Sequence, residues 1–151
     1  MQILVFQLAD AAAALPTAVI RQVLPLLALT RFPAAPPGVA GLMNLHGAAI
    51  PVLDVTAMSG GRAARARQDT RILLVDFPLA AGDSRPLGLV VEGVAGVRRV
   101  TATPPRPAGI QLPDYPWLGE VLETPEGLWL WLDLRHLLSP PLAGLLFQEV
   151  A

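Results

Sequence analysis

The sequence predicts an all-β protein that consists of two small barrels in tandem. Its apolar runs are short, and glycine, proline or aspartate interrupts them about every 8 to 12 residues, which is typical of many short strands. Apolar residues with helical spacing are scarce. The two halves of the chain also present the same features in the same order, which indicates two related units.

The predicted elements follow these interruptions along the chain. Short helices are expected at 55–59 and 134–138 and, near the C-terminus, at 142–148. Two proline- or arginine-rich stretches, 60–69 and 101–116, are expected to form surface connections. We expect strands at 2–9, 15–24 (broken near Pro16), 39–46, 48–55 (with Pro51 favouring an edge or a bulge), 71–77, 86–92, 94–100, 117–123 and 128–133.

The internal repeat suggests where the two units divide. The segment ILVFQL near the N-terminus matches ILLVDF in the second half, and each precedes a longer β-branched run. Each half then has a proline-rich connection, a strand led by glycine, a tight turn and a strand ending in Leu-Asp. We therefore expect one domain over 1–151 with subdomains at 1–60 and 70–138, and with 139–151 packing back on them.

The two Leu-Asp pairs are predicted to start short helices. Asp54 and Asp133 each end a predicted strand and precede a predicted helical stretch. An aspartate side chain in that position accepts a hydrogen bond from a free amide of the first helical turn. We therefore assign both residues a structural role as N-caps.

Composition excludes several classes of function. Eleven basic residues, all arginine, balance twelve acidic ones, so the chain has no basic excess for nucleic acid. It has no cysteine, and therefore no disulfide or thiolate site, which is compatible with a reducing cytoplasm. Prolines interrupt the longest uncharged stretch, 32–53, so no membrane-spanning helix is expected.

No pattern in the sequence indicates catalysis, a metal site or a cofactor. The two histidines are distant in the sequence, and none of the three serines has the surroundings of a nucleophile. The arginines at 62, 65, 67 and 71 either form a solvated loop, which is favoured, or an anion patch. The tryptophans at 117, 129 and 131 are expected to be buried in a barrel core or an interface.

The stretch from Pro33 to Asp54 resembles the CheW-like family of chemotaxis coupling proteins. The family pattern has a proline-rich approach, a Gly-x-x-Asn-x-Arg-Gly strand and turn, and then Pro-Val-x-Asp. This chain has GLMNLHG followed by PVLD. The segments RILLVDF, PLGLVVEGVAGVRRV, PWLGEVLE and LWLWLDLRHLL extend the resemblance over nearly the whole chain. Details such as LGLVVEGV and the ending GLLFQEV are similar to the Wsp-type surface-sensing branch.

The resemblance implies a fold and a set of partners. The fold would be a pair of five-stranded SH3-like barrels with a groove between them. The function would be a non-enzymatic cytoplasmic adaptor that binds the regulatory domain of a CheA-type histidine kinase and the cytoplasmic tip of a chemoreceptor. No cofactor, nucleic acid or direct membrane insertion is implied, and the association with receptor arrays would run through these partners.

The resemblance also suggests which residues contact partners. In this chain His46 stands where the family usually has arginine, and Gln22 stands where it often has glutamate, which suggests altered partners. Asn44 and Gly47 are either contacts or purely structural turn residues. The alternative function is a small-molecule-binding barrel or a degenerate enzyme, which would show a closed pocket with convergent polar groups. The expected partner-binding residues are Ile20, Gln22, Leu24, Asn44, His46 and Gly47.

Overall fold

The computed structural model describes residues 1–79, 82–100 and 103–147 of the chain. These residues form ten β-strands and two short α-helices, together with 3-10 turns. The 3-10 turns include Thr17–Val19, Pro116–Leu118 and Leu134–His136. The strands are β1 Gln2–Leu8, β2 Ala11–Pro16, β3 Ile20–Pro25, β4 Val39–Leu45, β5 Ala48–Asp54, β6 Arg71–Pro78, β7 Ser84–Arg99, β8 Arg106–Pro107, β9 Glu120–Thr124 and β10 Gly127–Trp131, and the helices are α1 Val55–Gly60 and α2 Pro140–Leu146.

The long strand β7 takes part in two five-stranded barrels. Its first half, Ser84–Val91, pairs with β6, and Gly88–Val90 also pairs with β5. Its second half, Glu92–Arg99, pairs with β1. The middle barrel therefore contains β3, β4, β5, β6 and the first half of β7. The terminal barrel contains β1, β2, β9, β10 and the second half of β7, with the short β8 at its edge.

This pairing confirms the mainly β fold of two five-stranded barrels, but it does not follow the predicted boundaries of 1–60 and 70–138. The hairpin β1–β2 pairs with β7 and β10 rather than with β3, β4 and β5. The repeat itself is present, since β1 and β6 hold equivalent places beside β7. A repeat along the chain identifies equivalent strands, but it does not say which strands pair in space.

Most of the predicted strands are present, with several differences. The stretch 15–24 is broken at Pro16, as expected, but β2 already begins at Ala11, and the chain continues through a 3-10 turn into β3. The strand predicted at 117–123 begins only at Glu120, after a 3-10 turn. The two strands predicted at 86–92 and 94–100 are one strand, because Gly93 adopts a φ of 61° within a bulge opposite β1 and the strand continues. The predicted connection 101–116 contains β8, and its residues 101–102 lie outside the described residues.

Proline 51 occupies a position that tolerates a missing amide. It pairs with Leu42 of β4, and the pairing of β5 with β7 begins one residue later, at Val52. The partner strand carries a register shift between Val39 and Gly41. Of the two alternatives predicted at Pro51, the edge is therefore present, since β5 is an edge strand up to Pro51, whereas the register shift lies in β4 opposite Val52 and Leu53.

The strands that contact both barrels are apolar on both faces. Side chains alternate between the faces of a strand, so Ile72 and Leu74 of β6 point into the middle barrel while Leu73, Val75 and Phe77 point between the barrels. Strand β1 does the same for the terminal barrel. The core of the middle barrel comprises Leu24, Met43, Ile50, Val52, Ile72, Leu74 and Val90, and that of the terminal barrel Ile3, Val5, Ala14, Leu122 and Trp129.

A third and larger cluster lies between the barrels, and we call it the inter-barrel core. It includes Leu4, Phe6, Leu53, Leu73 and Leu89 from the strands. Trp117, Leu132, Leu134, Leu137 and Leu138 from the C-terminal region complete it. Trp117 and Trp129 are thus buried as predicted, and Trp131 is half-buried against the terminal core.

Both predicted N-caps are present. The Asp54 carboxylate accepts a hydrogen bond from the amide of Ala57 at 3.0 Å, and α1 ends at Gly61 in the left-handed conformation. The Asp133 carboxylate accepts one from the amide of Arg135 at 3.1 Å, where a 3-10 turn replaces the predicted helix at 134–138. The helix predicted at 142–148 begins at Pro140 and ends at Leu146, and residues 148–151 lie outside the described residues.

Candidate functional site

The turn between β4 and β5 is the first part of the candidate site. His46 and Gly47 have φ values of 52° and 85°, so both adopt the left-handed conformation that a two-residue hairpin turn requires. The side-chain oxygen of Asn44 accepts a hydrogen bond from the amide of Gly47 at 3.0 Å. Asn44 and Gly47 therefore have structural roles in the turn, while the exposed imidazole of His46 is free to contact a partner.

Strand β3 is the second part of the site. It pairs only with β6 among the described strands, so its other edge is open. Gln22 is exposed and Ile20 is half-buried against the inter-barrel core. Leu24 is only 6% exposed and belongs to the core of the middle barrel. Its side chain is therefore not available to a partner in this conformation.

The turn and β3 belong to the same barrel. Leu24 of β3 and Met43 of β4 pack in one core, although the two strands lie at opposite ends of the pairing order. The chain after β3 closes this gap through a bridge in which Thr30 and Leu42 exchange backbone hydrogen bonds of 2.9 Å each. Gly41 permits this approach, because a Cβ atom there would collide with the carbonyl oxygen of Thr30.

Three apolar side chains near β3 were not predicted as site residues. Val23 is 44% exposed, and Leu26 and Phe32 further along the chain are also exposed. Large apolar side chains that remain accessible in this way are common where proteins bind each other. The sequence signal was weak, since the alternation in IRQVLP does not show which apolar residues face the barrel. We refer to the exposed residues of this barrel on β3, on the chain after it and on the β4–β5 turn together as the middle-barrel surface: Gln22, Val23, Leu26, Phe32 and His46.

The arginine-rich loop is held in place by the carboxylates of Glu92 and Asp54. Glu92 accepts two hydrogen bonds from the guanidinium of Arg62, at 2.7 and 3.3 Å, and one from the amide of Arg65 at 2.9 Å. The hydroxyl of Thr56 donates a further one at 3.3 Å. The Arg62 hydrogen bond lowers the pKa of the Glu92 carboxyl group and, in return, raises the pKa of the Arg62 guanidinium.

This arrangement favours a structural role for the loop over an anion patch. The charge of Arg62 is compensated by Glu92, and Asp10 and Asp69 line the same shallow pocket as Arg65 and Arg67. The second carboxylate oxygen of Asp54 also accepts the amide of Ala64 at 2.8 Å. The loop therefore ties α1 to β7 at the point where β7 passes from one barrel to the other.

A cleft of about 500 Å³ lies between the barrels. Met58 and Gly61 of the middle barrel form one side, and Tyr115 and Trp117 of the terminal barrel form the other. His136 lies at its border, where its Nδ1 atom is 2.6 Å from the Asp133 carboxylate. Burial opposes ionisation of Asp133, but hydrogen bonds from His136 and Arg135 outweigh it and lower the pKa of this carboxyl group.

The described residues show neither a metal site nor a polar cavity inside a barrel. They contain no group of three or more histidine, cysteine or acidic side chains placed to hold a metal ion. None of their buried side-chain polar atoms lacks a hydrogen-bond partner. Both barrel interiors are filled by apolar side chains, so neither forms a cavity lined by polar groups. Within the same residues, no helix is long and apolar enough to cross a membrane.

The two barrels are filled and share an apolar core, so the chain forms a two-barrel domain. Strand β3 and the β4–β5 turn carry its exposed candidate contact residues. The chain belongs to the CheW-like domain family, whose sequence profile matches residues 2–141. The crystal structure of the scaffolding protein TtCheW from Thermoanaerobacter tengcongensis is similar, with a TM-score of 0.76 and 25% identity over 90% of each chain. No curated protein sequence matches the chain.

Proposed function

We propose that the chain is a non-enzymatic cytoplasmic scaffold that couples a chemoreceptor to a CheA-type histidine kinase. The observation that carries the proposal is the exposed middle-barrel surface in a chain that matches the CheW-like family over 2–141. The similar structure of a scaffolding protein supports it. The filled barrels give no support to the alternative of a small-molecule-binding barrel or degenerate enzyme.

The contact residues proposed here are a revision of the sequence-based set. Gln22 and His46 remain, and Val23 joins them because its side chain is exposed. Ile20 borders the surface. Leu24, Asn44 and Gly47 act indirectly, by filling the barrel or shaping the turn. An interface of ordinary size, with roughly 800 Å² from each partner, would extend over more residues than these.

Binding to the two expected partners tests the proposal. The purified chain is titrated by calorimetry with the regulatory domain of a CheA-type kinase and with a cytoplasmic tip fragment of a chemoreceptor, both encoded in the same genome. We expect measurable, saturable binding to at least one of them. A folded chain with no affinity for either partner would contradict the proposal.

Two substitutions test the surface itself. Val23→Asp places a charge on the open edge of β3, and His46→Asn keeps a residue that tolerates the left-handed conformation while removing the imidazole. We expect each to weaken binding by about tenfold or more, the cost of losing one well-placed contact. The matched control is Val97→Asp, at a similarly exposed valine of the terminal barrel. Equal effects of Val23→Asp and Val97→Asp would exclude the middle-barrel surface.

A further inference from the structure

The C-terminal helix α2 is attached to the barrels by one face only. Leu142, Ala143, Leu146 and Phe147 pack against the inter-barrel core. The ring of Phe147 stacks on that of Phe77 with a centroid distance of 5.8 Å, and the guanidinium of Arg85 lies 5.9 Å from the centre of the Phe147 ring. The contacts of α2 are therefore apolar or made between rings and a cation.

These contacts are shallow. None of the residues of α2 is fully buried, and Leu145 on the outer face is 60% exposed. Every hydrogen bond described for the segment 139–147 stays within that segment. The described ion pairs of the protein do not involve it either.

The segment follows a buried anchor and has little helical stability of its own. Leu137 and Leu138 are buried and anchor the chain immediately before it. Ser139 then caps α2, and Pro140 and Pro141 begin it. A helix of seven residues is not stable in water by itself, and Gly144 weakens it further. When α2 leaves the barrels, the segment from Ser139 onward therefore unfolds, while Leu137 and Leu138 stay buried.

The surface beneath α2 is apolar at both ends. Phe77, which is 4% exposed, lies under Phe147 at one end. At the other end Leu142 forms part of the wall of the inter-barrel cleft, together with Trp117 and Leu137. We call this surface, from Phe77 to the cleft at Trp117, the strap groove. Undocking of α2 leaves its apolar side chains without cover, which is unfavourable unless another apolar helix replaces it.

We propose that α2 is a displaceable strap that occupies a docking groove for an amphipathic helix of a partner protein. The chemistry of the occupant follows from α2 itself, because the groove accepts leucine and phenylalanine at the spacing of Leu142, Leu146 and Phe147. A partner helix with apolar residues at the same spacing fits the same surface. The inference stands on the contacts of α2 and does not depend on the proposed coupling to a kinase and a receptor.

Such a strap sets a threshold for partner binding. A tethered segment competes at an effective concentration in the millimolar range, and the apparent affinity of the partner is reduced by the fraction of molecules in which the groove is open. Only a helix that binds the groove more tightly than α2, or that is itself held nearby, displaces it. The strap thereby excludes weak apolar helices.

Hydrogen exchange in the full-length, ¹⁵N-labelled chain tests whether the strap opens by itself. The amides of Ala143 and Phe147 donate to Ser139 and Ala143 within α2 and report its undocking. The amides of Gly88–Val90, in a strand paired on both sides, report unfolding of the whole molecule. We expect the α2 amides to exchange at least about a hundredfold faster than the most protected β7 amide, because local opening requires less free energy than global unfolding. Equal rates would overturn the proposal.

A synthetic peptide with the sequence of residues 139–147 then tests whether the groove accepts a helix from outside. Added at millimolar concentration, it should capture the open state, accelerate exchange at Ala143 and Phe147 by about tenfold or more, and leave the β7 amides unchanged. The control peptide carries Leu142→Asp and Phe147→Asp and should have no effect. Acceleration by both peptides, or by neither, would overturn the proposal.

A substitution that tightens the strap provides the opposite test. A Cβ atom at Gly144 would meet no other atom within 4 Å. Gly144→Ala should therefore stabilise α2 through helix propensity alone, by about 1 kcal/mol or fivefold. We expect exchange at Ala143 and Phe147 to slow by about that factor and the effect of the peptide to decrease with it. Unchanged exchange and unchanged response to the peptide would contradict a strap whose docking requires the helix.

Discussion

Asp54 connects the end of β5, the start of α1 and the arginine-rich loop through one carboxylate. One oxygen accepts the amide of Ala57 and the other that of Ala64. We expect Asp54→Ala to lower the free energy of unfolding by about 1 to 2 kcal/mol, since it removes a helix cap and leaves a loop amide without its acceptor. Asp54→Asn should cost less, because one acceptor oxygen remains.

Urea denaturation of these variants checks the prediction. The control is Asp76→Ala, which removes the exposed ion pair with Arg21 at 3.4 Å and should cost at most about 0.5 kcal/mol. If Asp54→Ala and Asp76→Ala destabilise the protein equally, the carboxylate of Asp54 is not the tether that its hydrogen bonds indicate.

Glu92 should make the stability of the fold depend on pH. Its side chain is 13% exposed, and the hydrogen bond from Arg62 keeps its pKa below the ordinary value of about 4.3. A carboxyl group with a lowered pKa in the folded state stabilises the protein above its unfolded pKa. That contribution is lost as the pH falls through the folded pKa.

The substitution Glu92→Gln should remove this contribution. We expect the free energy of unfolding at pH 7 to fall by about 1 kcal/mol, a value that allows for solvent screening around the exposed Arg62. The difference from the wild type should shrink below pH 4. Denaturation midpoints at pH 7, 5, 4 and 3 measure it, with the exposed Glu123→Gln as control. A difference that stays constant down to pH 3 would show that the charge of Glu92 is not responsible.

Sequence reasoning succeeded for single residues where the cause is local. Asp54 and Asp133 cap turns within three residues of themselves, and Asn44 with Gly47 forms a turn, so the sequence pattern contains all the partners. Glu92 and Arg62 lie 30 positions apart and meet only after the strands pair. Leu24 was predicted to contact a partner and is buried, because it packs in one core with Met43, which lies 19 positions away in β4.

At the scale of the element, the packing of β7 depends on a glycine whose backbone conformation other residues could also adopt. Gly88 lies in the middle of the strand, and a Cβ atom there would be 2.9 Å from Cγ2 of Val52 in the neighbouring strand β5. We expect Gly88→Ala to overpack the middle barrel and to destabilise the protein by about 1 to 3 kcal/mol. Thermal unfolding followed by circular dichroism measures the change.

A double-mutant cycle separates this contact from other effects of the substitution. Val52→Ala removes the obstructing methyl group, so Gly88→Ala should cost less in the Val52→Ala background than in the wild type. Gly60→Ala is the control, since a Cβ atom at Gly60 would meet nothing within 4 Å. Additive effects of Gly88→Ala and Val52→Ala would mean that the contact with Val52 does not cause the loss, since strand propensity alone favours alanine over glycine.

The same strand shows what sequence reasoning cannot supply for elements. Gly93 was interpreted as an interruption, because glycine often ends strands, yet β7 passes through it in a left-handed bulge. The approach of Gln7 explains the glycine, since its Cγ atom lies 2.6 Å from where a Cβ atom would be. That neighbour belongs to β1, so the reason for the glycine exists only in the folded protein.

At the scale of the whole molecule, the chain order of the strands differs from their order in space. The sequence predicted two barrels because β1 resembles β6 and the β4–β5 hairpin resembles β9–β10. The terminal barrel nevertheless combines the first two strands with the last three, and β7 is shared. The middle barrel is thus one continuous stretch, 20–91, whereas the terminal barrel joins both ends of the chain, and the two barrels share β7. The inter-barrel core is larger than either barrel core.

This arrangement predicts that the two barrels unfold together. All three tryptophans lie in the terminal barrel or the inter-barrel core, and none lies in the middle barrel. Tryptophan fluorescence should therefore report the terminal barrel, whereas Met43→Ala perturbs the core of the middle barrel at a fully buried site.

We expect Met43→Ala to cost about 2 to 5 kcal/mol and to shift the tryptophan transition as far as the circular dichroism transition. The reason is that opening the middle barrel strips β6 and β7 from the inter-barrel core and leaves β1 without β7, one of its two neighbouring strands. Leu122→Ala, in the terminal core, should give the same coincidence of the two signals. A tryptophan midpoint that stays at the wild-type value in Met43→Ala while the circular dichroism transition splits in two would instead show that each barrel is an independent folding unit.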